Sequence, residues 1–136
     1  MIISPKEAQD TGHILIEKED THLLFRDGSL LIKELPAKNL QLNPSSTEAC
    51  LDASIVQYPL LLRKWKQGDY FYPLGMQKKK KISRFLIDQK LSKSDKEKVW
   101  VVESDRKILW VVGYRIDDRF KISPKTKVVL SISYLI

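Results

Sequence analysis

Residues 99–112 read Val99-Trp100-Val101-Val102-Glu103-Ser104-Asp105-Arg106-Lys107-Ile108-Leu109-Trp110-Val111-Val112. Two runs, Val99 to Glu103 and Ile108 to Val112, have Ser104-Asp105-Arg106 between them. Successive side chains of a strand point to opposite faces. Both runs are apolar on both faces and are therefore covered on both, which predicts a layered structure and not a sheet with one wet side. Trp100 and Trp110 read as core.

Outward from that pair the chain continues as β. Val128, Leu130, Ile132, Tyr134 and Ile136 alternate against Lys127, Ser131 and Ser133, the period of a half-buried strand. Glu48 to Ile55 puts Ala49, Leu51, Ala53 and Ile55 on one face, Gly12 to Lys18 alternates weakly, and Leu60 to Arg63 is short and apolar. His22 to Arg26 and Leu30 to Glu34 flank Asp27-Gly28, a hairpin signal because both residues tolerate positive φ. Lys38 to Thr47, with Asn43-Pro44-Ser45-Ser46, is a loop by its turn chemistry, and Trp65 to Asp69 is a turn before an extended Tyr70-Phe71-Tyr72. Ile82 to Leu91 is the helix, with Ile82, Phe85 and Leu86 on one stripe. Ser94-Asp95-Lys96-Glu97 matches a capping box and predicts one more helical turn. The expected fold is α+β, mostly β: a layered, sandwich-like domain with one short amphipathic helix. Residues 1–136 are read as one domain, in which 1–57 complete the sheets begun by 58–136.

The chain's 136 residues are 43% apolar and 30% charged, as expected of a globular domain. No apolar stretch is long enough to span a bilayer, and Met1 to Glu7 lacks the features of a signal peptide. A single cysteine, Cys50, fits a reducing compartment, and with two histidines it is too little for a zinc site. A cytoplasmic location is expected. Charge is divided unevenly: residues 1–59 carry five basic and nine acidic side chains, residues 60–136 nineteen and eight. So basic a half points to a polyanionic partner, nucleic acid before a membrane surface.

Lys78-Lys79-Lys80-Lys81 stands directly before the helix. Cations there oppose the helix dipole, while the same helix end favours bound anions. The run thus reads as phosphate-binding, against the alternative of a solvated charge run. Arg63, Lys64, Lys66, Arg84, Lys90, Arg115, Arg119 and Lys121 add cations nearby. Trp65 and Phe71 read as core, whereas Tyr70 and Tyr72 share the opposite face and are the candidates for base stacking. Signals for catalysis are thin. The five glycines assemble no phosphate-cradling loop, Cys50 reads as a small packed strand residue, and His13 and His22 have no constellation. Asp117-Asp118 has the chemistry to hold Mg²⁺, though local ion pairing explains it more cheaply. No catalytic and no metal-binding residue is assigned.

From Arg63 onward the sequence resembles the C-terminal domain of the tRNA(Ile)-lysidine synthetase family. The resemblance lies in Arg63-x-Trp65-x-x-Gly68-Asp69-x-Phe71-x-Pro73-Leu74-Gly75-Met76, in Lys80-Lys81-x-Ser83-x-Phe85-Leu86-Ile87-Asp88, and in Ile108-x-Trp110-Val111-x-Gly113-x-Arg115-Ile116-Asp117-x-Arg119-Phe120. It implies a parent ligase of the N-type ATP pyrophosphatase group. That enzyme adenylates the wobble cytidine of an isoleucine tRNA with a CAU anticodon, and lysine then displaces AMP. It also implies a fold similar to a β-rich domain of the phenylalanyl-tRNA synthetase β chain. The family's ATP-binding Ser-Gly-Gly-x-Asp-Ser loop is absent from this sequence, so ATP with Mg²⁺, and lysine, are expected in the parent's N-terminal domain and not here.

What the resemblance carries over is a role in gripping the tRNA body and acceptor stem. The expected phosphate contacts are Arg63, Lys64, Lys66, Lys78, Lys79, Lys80, Lys81, Arg84, Arg115 and Arg119. The implied partners are that tRNA and the catalytic N-terminal domain, with a homodimer left open. Two alternatives stand beside this reading: a basic module that docks on an acidic protein surface, and a self-standing enzyme using Asp117 and Asp118 with a metal.

Overall fold

A computed structural model describes residues 6–7, 13–38 and 45–136. Its elements in chain order are β1 (Lys6–Glu7), β2 (His13–Ile16), β3 (His22–Phe25), β4 (Gly28–Pro36), β5 (Glu48–Asp52), β6 (Leu60–Lys64), β7 (Tyr70–Phe71), β8 (Lys80–Lys81), α1 (Ile82–Asp88), α2 (Lys93–Lys96), β9 (Trp100–Ser104), β10 (Lys107–Val111), β11 (Arg115–Ile116) and β12 (Val128–Leu135), with a 3₁₀ turn at Asp118–Phe120 before β12. One sheet has the order β1-β3-β4-β12-β5, a second β11-β10-β9-β6-β2, and β7 and β8 form a separate ribbon. The halves of the chain interleave. β12 lies between β4 and β5, and β2 extends the second sheet from β6.

The second sheet is covered on both faces, as residues 99–112 predict. One face contributes Trp100, Val102, Trp110, Leu60 and Leu62 to a core shared with Leu23, Leu30, Ile32, Leu51, Leu130 and Ile132 of the first sheet. The other face presents Val99, Val101, Ile108 and Val111 to Phe71, Ile82, Phe85 and Leu86 of the ribbon and α1. The layers are thus sheet, sheet, and ribbon with helix. A register shift between Ile108 and Trp110 lets both Leu109 and Trp110 join the sandwich core. Such a bulge bends the strand locally. The carbonyl freed at Leu109 accepts from the Asp117 N–H at 2.8 Å, which starts the return into the 3₁₀ turn.

Several local expectations shift by one to three residues. The first hairpin turns at Arg26-Asp27, because Phe25 pairs with Gly28. Gly28 serves close packing instead, since a Cβ there would lie 2.5 Å from the Leu135 carbonyl oxygen. β5 stops at Asp52 and not at Ile55. The Asp52 carboxylate accepts from the Ser54 N–H (3.0 Å) and hydroxyl (2.7 Å), a side-chain turn that competes with the sheet ladder. Of the Lys38 to Thr47 loop, residues 39–44 lie outside the described residues, as do Met1 to Pro5 and Gly12.

Helix α1 ends at Asp88, three residues short of Leu91. The Lys90 N–H donates to the Ile87 carbonyl and the Leu91 N–H to that of Leu86, with Lys90 at φ 59°. That is the Schellman arrangement, with Leu91 folded back onto the second core. The capping residue of α2 is Ser92 and not Ser94: its hydroxyl accepts from the Asp95 N–H at 3.1 Å.

Arg63 departs furthest from expectation. It lies on the helix-facing side of β6, only 5% exposed. Its Nη1 and Nη2 donate to Asp69 at 2.8 and 3.0 Å, and Nε and Nη2 donate to Glu103 at 3.1 and 2.9 Å. It is therefore removed from the phosphate-contact set. Burial works against its charge, but the hydrogen bonds it donates to Asp69 and Glu103 outweigh burial and raise its pKa further. Asp69 also accepts from the Lys66 N–H at 2.8 Å, so one guanidinium ties the Trp65–Asp69 turn to the second sheet.

Replacing Arg63 with Met should leave two carboxylates without their cation and cost about 3 kcal/mol, the range for breaking a buried pair. A urea titration of both proteins would show it as a lower midpoint at similar slope. Asp52 supplies a pH-dependent prediction. Burial would raise its pKa, but the hydrogen bonds from Ser54 and Thr126 prevail and lower it from 3.8. A lowered folded pKa gives stability that is present above about pH 4 and lost as pH falls through the folded value. Asp52→Asn should therefore lose stability less steeply than the parent between pH 4 and 2, measured by thermal melts in buffers of matched ionic strength.

Candidate nucleic-acid interface

The interface is built on the ribbon. Tyr70 pairs with Lys81 and Phe71 with Lys80, and paired residues share a face. Phe71 is fully buried against Phe85, with ring centroids 5.1 Å apart. Tyr70 and Lys81 therefore face outward. The lysine run is not a flexible tail before the helix: its second half is a strand, and the first helical N–H, that of Ile82, is taken by the Asp69 carbonyl at 2.9 Å. Lys80 turns to the helix and pairs with Asp88, whose carboxyl that bond holds below its ordinary range. Lys79 places its ammonium 4.9 Å from the centre of the Tyr70 ring. Lys78 and Lys81 are exposed.

Arg119 joins this face from the 3₁₀ turn. Asp117 is fully buried, and its oxygens accept from the N–H of Tyr72 (2.9 Å), the N–H of Arg119 (2.7 Å), and Nε and Nη2 of Arg119 (both 3.0 Å). The guanidinium is held over Tyr72, 4.4 Å from the ring centroid, and Tyr72 meets Tyr70 edge-on. The Arg119 side chain remains about a third exposed. A guanidinium fixed by a buried carboxylate keeps little freedom to lose on binding. Asp118 accepts from the Gly75 N–H at 3.0 Å and pairs with Lys121. Both aspartates are thus used as local structural pairs, which accounts for them without a metal.

Beside Arg119 is a cleft of about 90 Å³ lined by Gly68, Asp69, Tyr70, Arg106, Lys107, Ile108 and Arg119. Arg106 and Lys107 carry no ion pair among the described residues and were not among the expected contacts. The signal that finds them is the loop itself. Ser104 pairs with Lys107, so Asp105-Arg106 is a two-residue hairpin turn with φ of 49° and 66°. Glycine is usual at the second of these positions.

The remaining expected contacts are scattered. Lys64 points to the sandwich side, 5.9 Å from the Trp100 ring, and does not join the ribbon face. Lys66 is exposed in the turn. Arg84 lies on α1, 70% exposed and 3.7 Å from Asp88. Arg115 packs its guanidinium 5.6 Å from the Phe85 ring. Trp65 is partly buried with its Nε1–H on the Lys96 carbonyl, as a core-side residue should be. Cys50 is raised to about 11 by burial and by Glu48, which keeps the thiol neutral and unreactive. Among the described residues no helix is long and apolar enough to cross a membrane.

This architecture and sequence have relatives. A family model described as the TilS substrate C-terminal domain matches residues 60–132. The tRNA(Ile)-lysidine synthase of Parabacteroides distasonis is 46% identical over 87 residues, covering 64% of this chain and 20% of that protein. That of Dehalococcoides mccartyi is 37% identical over 112 residues, 81% of this chain and 24% of that protein. The chain therefore spans about a fifth to a quarter of the length of these relatives. A crystal structure of a TilS C-terminal domain superposes with a TM-score of 0.68 at 17% identity, over 90% of this chain and 89% of that one, so the fold is shared. The matched span contains the ribbon, α1, the β9–β10 hairpin and the Asp117–Arg119 clamp, and on it the chain belongs to the TilS substrate C-terminal domain family.

Proposed function

We propose that this chain is the tRNA-holding part of a tRNA(Ile)-lysidine synthase. It grips the body and acceptor stem of an isoleucine tRNA with a CAU anticodon while a separate N-terminal domain attaches lysine to the wobble cytidine. The observation that carries the reading is the ribbon face, where Lys79 and the clamped Arg119 meet the Tyr70 and Tyr72 rings, Lys81 stands across the ribbon from Tyr70, and Lys80 and Arg119 are paired to acids while Lys78, Lys79 and Lys81 carry no ion pair among the described residues. Phosphate contacts supply most nucleic-acid affinity and set orientation. An A-form stem presents its backbone and 2′-hydroxyls more readily than its base edges. Lysines that swivel and one arginine that does not suit such a surface: the first tolerate variation in phosphate position, the second sets register.

Holding the tRNA far from the reacting base has a chemical use. Binding energy remote from the reaction can fix the position of the reacting group. In this reading ATP, Mg²⁺ and lysine act in the N-terminal domain, and this chain supplies position alone.

The test is binding to a minihelix of the acceptor stem, titrated with salt, for the parent and for Lys78→Ala/Lys79→Ala/Lys81→Ala. Lys80 is left in place because Asp88 holds it. The variant should bind more weakly, and its slope of log K against log salt should be shallower by about 2.7, near 0.9 for each of the three lost phosphate contacts. Equal binding by both proteins would make the lysines a solvated face. Unchanged RNA binding with lost association to the N-terminal domain would replace the reading by protein docking.

A further inference from the structure

We infer that the cleft between the Gly68 turn and the β9–β10 hairpin is a seat for a single backbone phosphate, with Arg106, Lys107 and Arg119 as its ligands; this rests on the RNA-binding reading above. Three cations line it. The one carboxylate in its wall, Asp69, already accepts from both terminal nitrogens of Arg63 and from the Lys66 N–H, so it neutralises none of the three. The space, about 90 Å³, is enough for a phosphate group.

The second observation is conformational. Asp105 and Arg106 both take left-handed φ, at 49° and 66°. Aspartate tolerates that region because its short side chain bonds locally, but arginine does not share the advantage, and glycine would fold there at less cost. Strained residues of this kind concentrate where a side chain is needed for function. Arg106 lines the cleft together with Tyr70, and among the described residues no acid pairs with it. Arg119 completes the seat from a fixed position, held by Asp117. The seat adjoins the Tyr70–Tyr72 pair, so a strand of RNA held at its phosphate would lay its ribose beside exposed rings.

The strain makes the test selective. Arg106→Gly removes the cation and relieves the backbone, so it should melt at or above the temperature of the parent. Yet it should bind the acceptor-stem minihelix several-fold more weakly, with the salt slope shallower by about 1. Lys107→Ala, at an exposed position, should lose affinity likewise without touching the turn. Arg26→Ala, at the tip of the other hairpin, controls for the loss of one charge and should change binding little. Variants at Arg106 and Lys107 that bind no worse than Arg26→Ala would overturn the seat and leave the RNA reading standing. A parent chain that does not bind the minihelix at all would overturn both. A lower melting temperature for Arg106→Gly would show that the arginine serves the fold, and would also count against the seat.

Discussion

Arg63 sits on the one side of the second sheet where ribbon and helix must dock, among Phe71, Val101 and Ile108, and its charge is tolerated there because Asp69 and Glu103 both reach it. A cation without those partners would be too costly to bury. The satisfied triad has a geometric consequence. It fixes the Trp65–Asp69 turn against β9, and the ribbon that follows can leave the sheet in only one direction. Tyr70 is then turned outward, and the Asp69 carbonyl is in place to receive the first N–H of α1. The buried pair thus sets where the exposed cations stand, although none of its members is exposed.

A second buried acid repeats the device at smaller scale. Asp117 collects four N–H groups, two from the backbone and two from Arg119. Around the ribbon, the arginines Arg63 and Arg119 are paired to buried acids, and the lysines Lys78, Lys79 and Lys81 are exposed. Lys80 lies between the two classes, on the ribbon but paired to the helix. In the proposed grip the run of four lysines therefore offers three free cations.

The layers were legible because period-two alternation and doubly apolar runs report burial directly, as at Val99–Glu103 and Ile108–Val112. The concentration of basic charge in residues 60–136 was likewise legible, and the RNA-binding proposal builds on it. Chain ends of elements were less legible. Asp52, Ser92 and Leu91 terminate or cap elements through side-chain and backbone hydrogen bonds whose alternatives one or two residues away have the same chemistry. The site was legible as a composition and not as a constellation. Nothing local distinguishes Arg63 from Arg119, yet forty residues on, Glu103 makes the first a structural residue. Arg106 and Lys107 escaped notice because their meaning depends on Gly68 and Tyr70, brought opposite them only when the ribbon folds over the sheet.

The central claim is that the ribbon side of the domain, and not the outer face of the first sheet, meets the RNA. An amide titration of the isotopically labelled chain with the acceptor-stem minihelix, followed residue by residue, measures this most directly. The account predicts shifts concentrated at residues 68–72, 78–81, 105–107 and 117–119, with β3, β4 and β5 unmoved. Shifts centred on β3, β4 and β5, with the ribbon silent, would contradict it.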